Sequence, residues 1–151
     1  GPAGEGAGAA GPAEGISGIW SCTPEGFWTF KAEREYRNEW AYIRNPYAAE
    51  GQNQADWFRF DEFGHMVTGW FTDTDGNEYY LWTESDGSKG HMVTGWQWID
   101  RDQDGSRECY YFNPVSDGTK GKLIKSSVTA DGYHVNDKGA WTVKGIIQTK
   151  G

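Results

Sequence analysis

Leucine occurs only twice in this chain of 151 residues, and leucine, isoleucine, valine and phenylalanine together make up about 15% of it. With a formal net charge of −8, so small a share would ordinarily point to intrinsic disorder. Long apolar runs are missing as well: none approaches the ~20 residues that cross a bilayer as a helix. No stretch with the charged and apolar regions of a signal peptide opens the sequence. Clusters of lysine and arginine are absent, and sequence-independent binding to nucleic acid or anionic lipid needs concentrated positive charge. Cysteine appears only as Cys22 and Cys109, too few for a disulfide framework.

What the chain has instead is rings and turns. Nine tryptophans, eight tyrosines and seven phenylalanines can each bury roughly 150–250 Å², so a core is possible if it is aromatic. The 22 glycines are about twice the usual frequency. Rings separated by glycine-rich turns suggest many short strands.

Residues 1–15 contain only Gly, Pro, Ala and Glu; such a segment has no apolar face to bury and reads as a linker. From residue 16 to 151 the chain is repetitive. His65-Met66-Val67-Thr68-Gly69-Trp70 recurs identically 26 residues later as His91-Met92-Val93-Thr94-Gly95-Trp96, a length that fits one supersecondary unit. Around these anchors lie five short aromatic segments: Phe27–Phe30, Trp57–Phe60, Glu78–Leu81, Cys109–Phe112 and Gly132–Val135. Each is bounded by turn signals such as Asp75-Gly76 and Asp86-Gly87, the mark of a β-hairpin. One hairpin is not stable alone, which predicts an all-β solenoid of about five stacked hairpin repeats. Only Ala32–Trp40, with several charged helix formers, suggests a turn or two of helix. That segment and Val128–Trp141 read as caps.

Strand side chains alternate between faces. The second and fourth positions of the five segments are Trp28/Phe30, Phe58/Phe60, Tyr79/Leu81, Tyr110/Phe112 and Tyr133/Val135, all large and apolar or aromatic. The first and third positions are mixed. The uniform register is therefore expected to face the core and the mixed one solvent or a groove, where any specificity would reside.

The succession of Gly-Trp, acidic turn, aromatic strand, Asp-Gly and Met-x-Thr-Gly-Trp resembles the cell-wall-binding repeats of Gram-positive surface proteins, the choline-binding and glucan-binding repeat family, over roughly residues 18–145. The strongest matches are Asp61–Trp70 and Gly87–Trp96. The resemblance implies a β-solenoid that holds a secreted or cell-surface protein on the envelope. It also implies ligand sites between consecutive hairpins, where aromatic faces attract a quaternary ammonium by about 0.5–2 kcal/mol per ring. Carried over by position, the cage is Trp57, Trp70 and Tyr80 with Met66; Trp96 and Met92 occupy the equivalent places one unit later. Glu78, Cys109 and Gly132 stand where later units would carry the cage tryptophan, and Ser126-Ser127 replaces Gly-Trp in the fourth.

Other chemistry has weaker signals. Asp100, Asp102, Asp104 and Gly105 resemble the opening of a calcium loop, but the twelfth position is Tyr111 rather than Glu. His65 and His91 have no second ligand at metal spacing, so neither a metal nor any cofactor is expected. No catalytic motif is present, which predicts a non-enzymatic module. Two functions stand side by side: a module binding choline or a glycan of a cell-wall polymer, or a spacer or oligomerisation unit of degenerate repeats with no small ligand. The terminal Trp141–Ile147 segment carries apolar residues that suit strand pairing with another chain. Cys22 and Cys109 lie about three units apart, too far to pair in a stack whose units touch mainly their neighbours, and are expected to be free thiols.

Overall fold

The computed structural model describes residues 14–151, so the linker assigned to residues 1–15 lies almost entirely outside the described residues. Gly15 and Ile16 are already docked: the Ile16 N–H donates to the Tyr42 carbonyl (2.8 Å) and its carbonyl accepts from the Arg44 N–H (2.9 Å).

The described chain is all β, with thirteen short strands and no α-helix. Four antiparallel hairpins come first. Strands β1 (Ile19–Cys22) and β2 (Trp28–Lys31) form the first, β3 (Glu39–Arg44) and β4 (Ala55–Phe60) the second, β5 (Gly69–Thr72) and β6 (Glu78–Leu81) the third, and β7 (Gly95–Ile99) and β8 (Arg107–Phe112) the fourth. The fifth unit is longer than one hairpin: β9 (Ser127–Val128), β10 (His134–Val135), β11 (Trp141–Val143) and β12 (Ile146–Ile147) make a four-stranded meander. The last strand, β13 (Thr149–Lys150), returns to pair with β8.

The helical turn expected at Ala32–Trp40 does not form. Glu39 and Trp40 open β3, and Trp40 pairs with Arg59 across the hairpin, which places its ring in the core. That burial outweighs the weak helix preference of the charged residues before it.

One backbone device links successive units. The N–H groups of Met66, Met92 and Leu123 donate to the carbonyls of Trp28 (2.8 Å), Trp57 (3.0 Å) and Glu78 (2.7 Å), each in the preceding hairpin. Their neighbours Val67, Val93 and Ile124 donate to Arg59, Tyr80 and Tyr111 within their own hairpin. Leu123-Ile124 therefore does in the fourth unit what Met-Val does in the two before it. Ser126 likewise keeps the positive φ (50°) that Gly69 (81°) and Gly95 (74°) adopt at the same turn.

Eight of the ten residues in the uniform register are buried; the exceptions, Trp28 and Tyr133, belong to the end units. The mixed register departs from expectation. Trp57, Tyr80 and Cys109 are also buried, because a middle hairpin is covered on both faces. Trp40 and Trp57 of the second hairpin pack with Tyr79 and Leu81 of the third, and Trp70 and Tyr80 of the third pack with Tyr110 and Phe112 of the fourth. Burying a side chain such as Phe112 or Leu81 contributes roughly 1.5–3 kcal/mol. At the first junction the uniform registers meet each other, Phe30 against Phe58 and Phe60.

Candidate functional site between hairpins

Cross-strand pairing sets one ring of each junction. Trp70 lies opposite Tyr80, ring centroids 5.3 Å apart and edge-on, and Tyr110 of the next hairpin meets the same indole at 5.1 Å. Two cations of the chain converge here. Arg101, from the turn of the fourth hairpin, holds its guanidinium carbon 3.9 Å from the Trp70 centroid, and it forms an ion pair with Glu78. Lys125 pairs with the other carboxylate oxygen of Glu78. Burial pushes the Glu78 carboxyl upward, but hydrogen bonds from Lys125 and Arg101 outweigh it and hold the group below its ordinary range.

The junction between the second and third hairpins has the same composition in a different order. Trp40, Tyr42 and Trp57 share one face, Trp40 meets Tyr79 at 4.9 Å, and the Arg59 guanidinium lies 4.6 Å from the Phe71 ring and 5.8 Å from Trp40.

The expected cage residues are thus distributed over three clusters. Trp70 and Tyr80 are together; Trp57 lies one junction earlier with Met92; Met66 packs against Phe58, Phe60 and Phe30. Met66 also lines a cavity of about 670 Å³ between the first two hairpins and the loop at 85–91, whose walls include Trp20, Trp28, Phe58, Asp56 and the exposed Tyr47. Asp56 lies 3.4 Å from the Nδ1 of His91; burial raises its carboxyl above the usual value, and the imidazole opposes that shift.

Trp96 belongs to a half-buried ring group at the junction of the fourth hairpin with the last meander. Its indole meets Tyr111 at 4.9 Å, Tyr133 at 5.8 Å and Trp141 at 6.5 Å. Tyr133 and Trp141 stand edge-on at 5.9 Å, and Trp98 meets Trp141 at 6.2 Å. The Trp96 Nε1–H donates to Asp131 Oδ2 (3.0 Å). A hydrogen bond from the Thr129 hydroxyl, with that of Trp96, keeps the Asp131 carboxyl below its ordinary range and so charged at neutral pH. Tyr133 remains 47% exposed, which leaves this group accessible. Strand alternation assigns Tyr133 to the core and composition assigns Trp141 to a cap; the structure groups them instead through the meander β9–β12, which no local motif announces.

Carboxylate oxygens of Asp100, Asp102 and Asp104 fall within 4.8 Å of one another. Asp100 accepts from the backbone N–H groups of Asp104 and Gly105, and Asp104 from that of Ser106. Asp61 and Asp73 bind their own turns in the same way, so the cluster has the chemistry of a hairpin turn. Both cysteines are free. Among the described residues no helix is long and apolar enough to cross a membrane.

No protein-family model matches the chain, and no curated sequence matches it. Solved structures do. The modular Cpl-1 endolysin complexed with a peptidoglycan analogue is 24% identical with a TM-score of 0.51, over 76% of this chain and 27% of that one. The multimodular pneumococcal cell wall endolysin from phage Cp-1, complexed with choline, is 23% identical with a TM-score of 0.53, over 83% and 30%. A truncated alternansucrase from Leuconostoc mesenteroides is 17% identical with a TM-score of 0.56, over 83% and 10%. The chain spans less than a third of the length of each of these proteins. The repeats read from Met-Val-Thr-Gly-Trp thus take in three dimensions a hairpin fold shared with these endolysins and the alternansucrase.

Proposed function

We propose that the chain is a non-catalytic module, a solenoid of stacked hairpins, that attaches a secreted or cell-surface protein to a choline-bearing or glycan polymer of the cell wall. The observation that carries this reading is the half-buried ring group of Trp96, Tyr111, Tyr133 and Trp141 beside the ionised Asp131. Ring faces and a carboxylate together suit a quaternary ammonium, whose charged group has no hydrogen bond to donate and is held by the ring quadrupole. The endolysin that shares the fold was solved with choline. Within this reading Trp96 is the principal contact. Trp70 and Tyr80 form the equivalent pair one unit earlier, and Trp57, Met66 and Met92 support the neighbouring ring faces.

Titrating choline against tryptophan fluorescence tests the proposal. Saturable quenching in the low millimolar range, lost in W96A and weakened in D131N, is the expected result. Absence of any change in fluorescence and in Tm with choline and with cell-wall fragments would leave the spacer function instead.

A second reading, self-association, is favoured by one observation. Strand β12 is the edge of its sheet, and Ile146 is 67% exposed there. Edge strands of this kind pair readily with another chain. Sedimentation of wild type and I146K tests it: a dimer that dissociates in the variant is expected.

A further inference from the structure

The junction between the third and fourth hairpins already contains a cation. Arg101 covers one face of Trp70 at 3.9 Å, Tyr80 and Tyr110 meet the same indole edge-on, and Glu78 supplies the counter-charge. Every element that an organic cation would need is present and engaged from within. The Trp70 Nε1–H is buried and, among the described residues, has no hydrogen-bond acceptor, so the indole is held by what lies on its faces and edges. Arg59 stands in the same relation to Phe71 and Trp40 one junction earlier.

We infer that Arg101 is an internal ligand: it occupies on Trp70 the place an external organic cation would take, so this junction is closed to such ligands and joined by the chain itself. Glu78 is the residue that selects this state. Its carboxylate stands at the first position of the aromatic segment and draws Arg101 across from the turn of the next hairpin. Guanidinium suits the position, being planar, weakly hydrated and able to stack on the indole while keeping a fork of donors for the carboxylate. The inference concerns a different junction from the one in the proposed function and stands whether or not that site binds choline.

The experiment uses W96A as background, so that binding at the terminal ring group does not contribute. R101A and the better-packed R101Q are added to it, and folding is checked by circular dichroism. Loss of Arg101 is expected to lower Tm by about 2–4 °C. Millimolar methylguanidinium or tetramethylammonium then restores that loss and quenches tryptophan fluorescence in the Arg101 variants. W96A with Arg101 intact responds at least tenfold more weakly. An equal response with Arg101 intact, or folded variants that respond to neither cation, would overturn the inference. Failure of choline binding in the otherwise wild-type chain would bear on the proposed function alone.

Discussion

Met66 and Gly90 interlock: the place where a β-carbon on Gly90 would stand is already taken by the Met66 thioether. The relationship repeats along the chain, Met92 with Gly121 and Leu123 with Gly139, where the nearest methyl carbon lies 2.8 Å from the would-be β-carbon. Gly90 and Gly121 also hold positive φ, 86° and 89°, which an L side chain adopts only at a cost. G90A and G121A are therefore expected to destabilise by about 2–4 kcal/mol each, from left-handed strain plus overpacking. Urea unfolding checks this; midpoints equal to wild type would mean that the interlock relaxes freely.

Removing the carboxylate of Glu78 leaves Arg101 and Lys125 facing each other without a counter-ion. E78Q is expected to lose about 1–3 kcal/mol at pH 7. The Glu78 carboxyl is held below its ordinary value in the fold, so its contribution is full above the unfolded value near 4.3 and disappears as pH falls through the lower folded value. The stability gap between wild type and E78Q should therefore close in acid. Denaturation at pH 7, 5 and 3 measures it.

Asp56 has the opposite sign. Burial raises its folded carboxyl, so the native state binds a proton more readily than the unfolded chain. Its contribution is most favourable below the unfolded value near 3.9 and declines as pH rises through the folded one. Relative to D56N, wild type should lose stability between acid and neutral pH. A ratio of stabilities that stays flat over that range would show that His91 offsets the burial entirely.

The two thiols differ in environment. Cys22 is exposed and Cys109 is buried, with burial pushing the Cys109 thiol up to about 11, so little of it is the reactive thiolate. Ellman's reagent is expected to label one thiol rapidly in the native protein and the second only on unfolding, with C22S removing the fast phase.

Local residues announced most of the fold. The repeated Met-Val-Thr-Gly-Trp, the Asp-Gly turns and the uniform register located all five aromatic strands, because each signal acts within a few residues. Trp40 was not legible as the partner of Arg59, since no glycine precedes it and Asn38 supplies the positive φ (50°) instead. The ligand surfaces were harder still. Nothing local distinguishes an arginine that lies over a tryptophan 31 residues earlier from one in solvent, and the grouping of Trp96 with Tyr133 and Trp141 is settled by how the last meander docks.

The hairpin turns satisfy their own polar groups. Thr23, Asp61, Asp73, Asn113, Thr129 and Asn136 each accept hydrogen bonds from backbone N–H groups two to four residues ahead. Some tips also reach down to the rings, Asp73 to Tyr79, Arg101 to Trp70 and Asp131 to Trp96, whereas the ten-residue connection 45–54 in the second hairpin bonds largely within itself. That separation makes this one tip a natural point of insertion. An epitope, a probe or a longer recognition loop grafted at residues 48–52 should leave the ring faces, and whatever they hold, where they are.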